Sequence, residues 1–157
     1  MADWLKEVEP LTLKGRISVP YAWWAGETAG AFFLALKDRQ KILGSRCTQC
    51  GKVYVPPRKN CGHCFVDINE TVEIADEGVV EAFTIVRYAH PVQPAEPPFA
   101  YALIKLDGAD VGFLHLIKKD LEKIRHGSRV KARFKTDRTA HILDIDSFEL
   151  VRAGQEA

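Results

Sequence analysis

The sequence predicts a mainly β protein in three parts: an N-terminal helical segment, a short cysteine-rich ribbon and a C-terminal five-stranded barrel. Three observations predict it. Cys47-Thr-Gln-Cys50 and Cys61-Gly-His-Cys64 hold all four cysteines of the chain in two C-x-x-C pairs, with ten residues between them. The chain before the pairs carries a helical period, and from about residue 71 the period changes to that of strands. The 157 residues are 46% hydrophobic and 27% charged, the balance of an ordinary globular chain that could be one domain or two small ones.

In chain order, residues 1–17 give little pattern and read as an extended arm. Pro20 suits a first helical turn, with Ser18 or Val19 near the cap, and the period predicts a helix to about Arg39. Tyr21, Trp24, Ala25, Phe32, Leu36 and, at its edge, Phe33 form one apolar face. On the opposite side lie Trp23, Gly26, Gly30 and Leu34. Two glycines at i and i+4 cost about 1 kcal/mol each in a helix interior. Between Trp23 and Leu34 they make a shallow groove, for a partner's backbone or for a second buried side within the monomer. Residues 1–40 therefore form the first part.

Residues 41–66 form the second, with strands near Ile42–Arg46 and Lys52–Val55. Two residues between thiols let both sulfurs turn towards one point, and two such pairs supply four thiolates for a tetrahedral Zn²⁺. The spacing between pairs is shorter than the commonest two-pair zinc spacing, so it matches the class of rubredoxin-like zinc ribbons and not one finger type. Gly51, directly after the first pair, can turn its N–H towards a sulfur, and Gly62 inside the second pair serves a similar purpose. Disulfides would need an oxidising compartment, and the charged N-terminus is no secretory signal. A redox C-x-x-C would leave the second pair idle. One structural zinc is the favoured reading and iron the alternative, since four thiolates suit both. A fully occupied tetrahedral site leaves no open position for catalysis.

Residues 67–157 form the third part. Thr71–Ala75 and Val79–Tyr88 are split by Gly78, read as a kink within or before one strand. Ala100–Leu106 and Val111–Ile117 are joined by the Asp107–Asp110 turn. Lys118–His126 reads as a short helix ended by Gly127, and Arg129–Lys135 and Ile142–Leu150 follow. Five strands with a helix between the third and fourth is the OB-fold plan; an SH3-like barrel would not ask for that helix. The loop 89–99 carries half the prolines of the chain and shapes a stiff wall or docking surface, or a plain connection.

The whole pattern resembles the acyl-CoA-associated zinc-ribbon/OB-fold proteins, long catalogued as a domain of unknown function. The likeness covers residues 18–150. It rests on Pro20-Tyr-Ala-Trp-Trp24, Leu43-Gly-Ser-Arg-Cys-Thr-Gln-Cys-Gly51, Tyr54-Val-Pro-Pro-Arg58, the second cysteine pair and the barrel strands. Members typically have proline after the third cysteine, where this chain has Gly62. The resemblance implies a non-catalytic accessory subunit or scaffold that assembles with thiolase-fold or related enzymes of CoA-thioester chemistry. In archaea these include acetoacetyl-CoA thiolase with hydroxymethylglutaryl-CoA synthase, and in bacteria thiolase-like aldolases and hydratase-like proteins of lipid degradation. It also implies a possible acyl-CoA ligand.

No nucleophile elbow, P-loop or dinucleotide fingerprint is present, so no catalytic residue is assigned. His115 reads as a hydrogen-bonded structural histidine, while His90 beside the proline loop is the best histidine for ligand contact. Arg129, Lys131, Arg133 and Lys135 alternate with apolar residues, and pairing with Asp144 and Asp146 of the next strand is the favoured account of that stripe. Arg58 and Lys59 have less obvious partners and can neutralise the thiolates or meet phosphate. A single-stranded nucleic-acid-binding role is the alternative function, but 22 basic against 21 acidic side chains speak against it. The longest apolar run, residues 31–36, is too short to span a membrane, and a cytoplasmic location is the default.

Overall fold

The computed structural model describes residues 12, 13, 15, 17 and 19–151. Most of the expected arm, Ser18 as a helix cap and the last six residues lie outside them. Helix α1 spans Glu27–Arg39. Its alanines and leucines favour the helix, Glu27 stands in the first turn, and Lys37 and Arg39 stand in the last, complementing the helix dipole. Gln40 in the left-handed conformation ends it.

The helix starts seven residues later than the expectation from Pro20. Gly26 has φ 83°, outside the helical region, and breaks the pattern there. The face expected to include Tyr21 and Trp24 is instead Phe32, Ala35 and Leu36, and both upstream aromatics are exposed. A helical period in the sequence could not register this break, because glycine is neutral to a wheel.

Strands β1 (Ile42–Arg46), β2 (Val53–Tyr54) and β3 (Glu70–Ile74) form an antiparallel sheet in the order β2-β1-β3. The stretch expected to open the barrel at Thr71–Ala75 thus pairs with β1, from Ile42↔Ile74 to Arg46↔Glu70, and extends the ribbon's sheet past residue 66. Strands β4 (Glu77–Val86), β5 (Phe99–Leu106), β6 (Phe113–Ile117), β7 (Arg129–Phe134) and β8 (Ile145–Leu150) close a barrel in the order β4-β5-β6-β8-β7. With β6 and β8 parallel and the other neighbours antiparallel, this is the OB-fold order.

Between β6 and β7 the expected Lys118–His126 helix shrinks to a 3₁₀ turn, Leu121–Lys123. Asp120 sits in the left-handed region, and within that stretch Ile124 is the fully buried side chain. One anchor needs no amphipathic helix behind it.

One core runs through all three parts. Phe32 and Leu36 of α1, Ile42 and Leu43 of β1, and Ile104, Ile117 and Phe148 of the barrel are buried in the same cluster. Two polar clamps reinforce it. The Asp110 carboxylate accepts from the Val53 N–H at 2.8 Å while its own N–H donates to the Val53 carbonyl at 3.0 Å. The Arg138 guanidinium donates to the Lys37 carbonyl at 2.6 Å, tying the end of α1 to the loop after β7.

Three cations of the β7 stripe pair with other carboxylates than expected, while the charge of the fourth, Lys135, acts on Asp146 as expected. Arg129 bonds Asp107 and Glu77, Lys131 bonds Glu77 at 2.9 Å, and Arg133 pairs with Glu149 at 3.3 Å. Bonding to Lys131 holds the Glu77 carboxyl below its ordinary pKa. Asp144 is buried and faces its own loop. Burial pushes its pKa up, but N–H groups of Thr139 and His141 donate to its carboxylate and leave it below the usual value. Asp146 pairs with Lys118. For Arg129 and Lys131 the reason lies in closure: β7 has neighbours on both edges, and Glu77 reaches it from β4.

His115 is buried, stacked on Phe113, with Nε2 3.3 Å from the Ile142 carbonyl. Its Nδ1 is buried with no partner among the described residues. Burial lowers its pKa below the ordinary 6.5 and outweighs the Ile142 carbonyl, which raises it. Because the native state binds this proton less readily than the unfolded chain, stability is present above about pH 6.5 and declines as pH falls through that value. From pH 7.5 to 5.5 the protection factors of β6 and β8 amides, each taken against the intrinsic rate at its own pH, should fall in the parent and change less in His115→Leu. Equal acid sensitivity in both would assign the effect elsewhere.

Candidate functional site

Two matching knuckles place the cysteines. In the first, the Gly51 N–H donates to the Cys47 carbonyl at 2.8 Å; in the second, the Phe65 N–H donates to the Cys61 carbonyl at 2.9 Å. The turning residues have φ 74° and 57° respectively. So Gly51 does adopt positive φ, but its N–H meets a carbonyl and not a sulfur. Gly62 is not the matching residue; Phe65 is. A side chain in the left-handed region costs about 1–2 kcal/mol, which glycine avoids.

The four sulfurs lie within 4.8 Å of one another, and Cys50 Sγ and Cys61 Sγ are 3.7 Å apart. A tetrahedron of sulfurs about 2.3 Å from a central Zn²⁺ has an edge of about 3.8 Å. Cys61 Sγ also accepts from the His63 N–H at 3.4 Å and the Cys64 N–H at 3.3 Å, and the Tyr54 hydroxyl lies 3.3 Å away. That hydroxyl is the main cause drawing the Cys61 thiol down to about 6, while burial, followed by the neighbouring sulfurs, pushes Cys64 up to about 12. The neighbouring sulfurs thus oppose ionisation of Cys64 unless a cation joins them. The donor set and its geometry fit a tetrahedral divalent metal.

Tyr54 was readable in the sequence as a strand residue and not as a group on the metal site. Its ring carries the Arg58 guanidinium at 5.2 Å, and the Arg58 backbone exchanges hydrogen bonds with the Ser45 hydroxyl. Arg58 therefore borders the Tyr54 ring and the second knuckle. Lys59 is exposed, and its carbonyl accepts from the Ile68 N–H at 2.7 Å. The ribbon's metal end has its own small core, Cys47, Tyr54, Cys61 and Ile68.

The other expected contact residues lie on different elements. Trp23 is 73% exposed in the irregular segment before α1 and does not flank a helical groove. Among the described residues nothing lies within 4 Å of a Cβ added at Gly26 or Gly30, so no close approach there explains them. His90 organises the proline loop: its ring Nδ1 accepts from the Val92 N–H at 3.4 Å, and its N–H donates to the Gln93 side chain at 3.0 Å. That loop encloses a shallow depression of about 340 Å³ lined by His90, Pro91 and Pro94 among others. Among the described residues, no helix is long and apolar enough to cross a membrane.

A closed four-thiolate ribbon joined through one core to an OB barrel defines a zinc-ribbon/OB-fold protein. The family comparisons agree part by part. Residues 35–70 match the model of the ChsH2 rubredoxin-like zinc ribbon domain, and residues 71–135 match that of the ChsH2 C-terminal OB-fold domain. A crystal structure of a Sulfolobus solfataricus protein of unknown function from the DUF35 family is 34% identical, with TM-score 0.57. That match covers 68% of this chain and 78% of the other. The chain belongs to the DUF35 family. A DUF35 domain-containing scaffold protein of Methanocaldococcus jannaschii is 27% identical over 101 residues, 64% of this chain and 72% of the relative. The Ltp2-ChsH2(DUF35) aldolase structure shares the fold at 24% identity and TM-score 0.55, covering 81% of this chain and 94% of the other.

Proposed function

We propose that this chain is a non-catalytic, zinc-containing scaffold subunit that docks on a thiolase-fold or related enzyme acting on CoA thioesters. One observation carries the reading: Tyr21, Trp23 and Trp24 stand exposed in one short segment leading into α1, with no cover from the described chain. Soluble monomers rarely leave so much aromatic surface uncovered, and such surface marks an interaction site. The naming of the archaeal relative as a scaffold and the presence of a ChsH2 DUF35 chain with Ltp2 in an aldolase structure support the choice of an enzyme as partner. Zinc is the metal of the ribbon, held by Cys47, Cys50, Cys61 and Cys64, and its role is structural. Gly26 and Gly30, open to the outside, continue the docking surface along the start of α1. Arg58, Lys59 and His90 are the further candidates for ligand or partner contact, His90 being the one beside the proline loop.

The test is co-purification of the full chain with a thiolase-fold enzyme from its own source cells. Trp23→Ala should leave the melting temperature within a degree or two, because the side chain is exposed, and weaken the complex by about tenfold or more. A chain that stays monomeric beside that enzyme in size-exclusion chromatography would remove the scaffold reading. Steep salt-dependent binding to single-stranded nucleic acid would replace it.

A further inference from the structure

Phe65 is a residue that the fold itself does not use. The two knuckles make an internal comparison, since Gly51 and Phe65 occupy equivalent places and return their N–H groups to equivalent carbonyls. Glycine takes this left-handed position freely, whereas Phe65 holds it at φ 57° with a ring that is 86% exposed. The ring joins neither hydrophobic cluster and stacks on no other ring among the described residues. Neither metal binding nor packing accounts for a phenylalanine where a glycine would close the same turn.

Two cationic side chains stand near it. A guanidinium nitrogen of Arg58 lies 3.8 Å from where a Cβ on Gly62 would stand, so Arg58 borders the same knuckle. Lys59 and Asn60 run beside Asp67 and Ile68, which follow Phe65 closely. Asp67, the carboxylate of this stretch, is engaged by Asn60. Lys59 has no side-chain partner among the described residues.

We propose that Phe65 is the anchor of a protein–protein contact: its ring enters an apolar socket on the partner, and carboxylates on the socket's rim face Arg58 and Lys59. This deepens the scaffold reading and rests on it. A single buried aromatic inside a polar rim is the arrangement that dominates interface energetics. Nucleic acid would ask for several stacking rings along a basic groove, while the β7 stripe of this chain is already paired with carboxylates. One ring and two cations are too little to hold a bilayer surface.

The test uses the full, metal-loaded chain with a photoreactive benzoyl-phenylalanine at position 65, and the same group at exposed Val92 as control. Expected is a dominant adduct at 65 with one protein, mapping by mass spectrometry to an apolar pocket bordered by Asp or Glu. With that protein purified, Phe65→Gly should raise Kd by roughly 30-fold without loss of metal or of melting temperature. Lys59→Glu should raise Kd by a smaller factor, one that shrinks at high salt. Adducts with nucleic acid or lipid, labelling no stronger than at Val92, or an unchanged Kd in Phe65→Gly would overturn the anchor. The two readings fail separately. An acid-rimmed partner unrelated to CoA-thioester enzymes keeps the anchor and sinks the proposed function. A thiolase-fold complex indifferent to Phe65→Gly does the reverse.

Discussion

Cys61→Ser should strip the ribbon of its metal and unfold residues 47–68 while the barrel from Glu77 to Leu150 stays folded. The parent chain should carry close to one zinc per molecule by elemental analysis. Cys61 is the most heavily engaged of the four cysteines, with two backbone N–H groups and the Tyr54 hydroxyl directed at its sulfur. The core at that end is a cluster of four buried residues, two of them cysteines, which is too small to hold a fold by burial. Structural zinc sites of this kind supply about 10–16 kcal/mol of apparent binding free energy, and that is also their folding energy. The barrel has its own closed sheet and core, so hydrogen exchange should show lost protection confined to the ribbon's metal end. Cys47→Ser should act in the same direction. Iron in place of zinc, or a metal-free parent with four reactive thiols and unchanged ribbon protection, would contradict this account.

Gly78→Ala should be the most damaging single methyl that can be added to the barrel. A Cβ there would lie 2.3 Å from the Lys105 carbonyl oxygen and 2.7 Å from Leu106 Cα, both backbone atoms of the paired strand. Side chains can turn away from such a clash, but a strand bonded in a closed barrel cannot. The loss should reach about 3 kcal/mol, the upper end of ordinary overpacking. For a chain of this size that corresponds to a melting temperature lower by roughly 6–12 °C. Gly30→Ala is the matched control: its new methyl meets nothing within 4 Å, and a helix interior favours alanine by about 1 kcal/mol. A Gly78→Ala chain as stable as the parent would mean that β4 and β5 are not held together as described.

Much of the fold was legible from local pattern. The alternation of Arg129–Lys135 marks β7 to within a residue, because one face of a barrel strand must be apolar. The limits β1 and β2 fall where the β-branched and aromatic residues flank the first cysteine pair. Three features were not legible. The start of α1 depended on the backbone angle of Gly26, and the partners of the β7 cations depended on which strands flank it. The sheet that receives β3 depended on a choice between two neighbours that period two cannot distinguish. Gly78 was noticed as a break, yet its cause is the approach of β5, which is 28 residues away in the chain.

The metal site divides the same way. Sequence by itself determined the four thiolates, since a C-x-x-C spacing brings two sulfurs together through local geometry, and two pairs complete a tetrahedron. It determined the five-strand succession of the barrel for a similar reason, as alternation is a property of neighbouring residues. Tertiary structure decided what surrounds that frame: the Tyr54 hydroxyl on Cys61, the Arg58 guanidinium over Tyr54, and the aromatic segment left uncovered before α1. Such matters depend on contacts between residues distant in sequence and on backbone angles set by closure, and no local pattern encodes either.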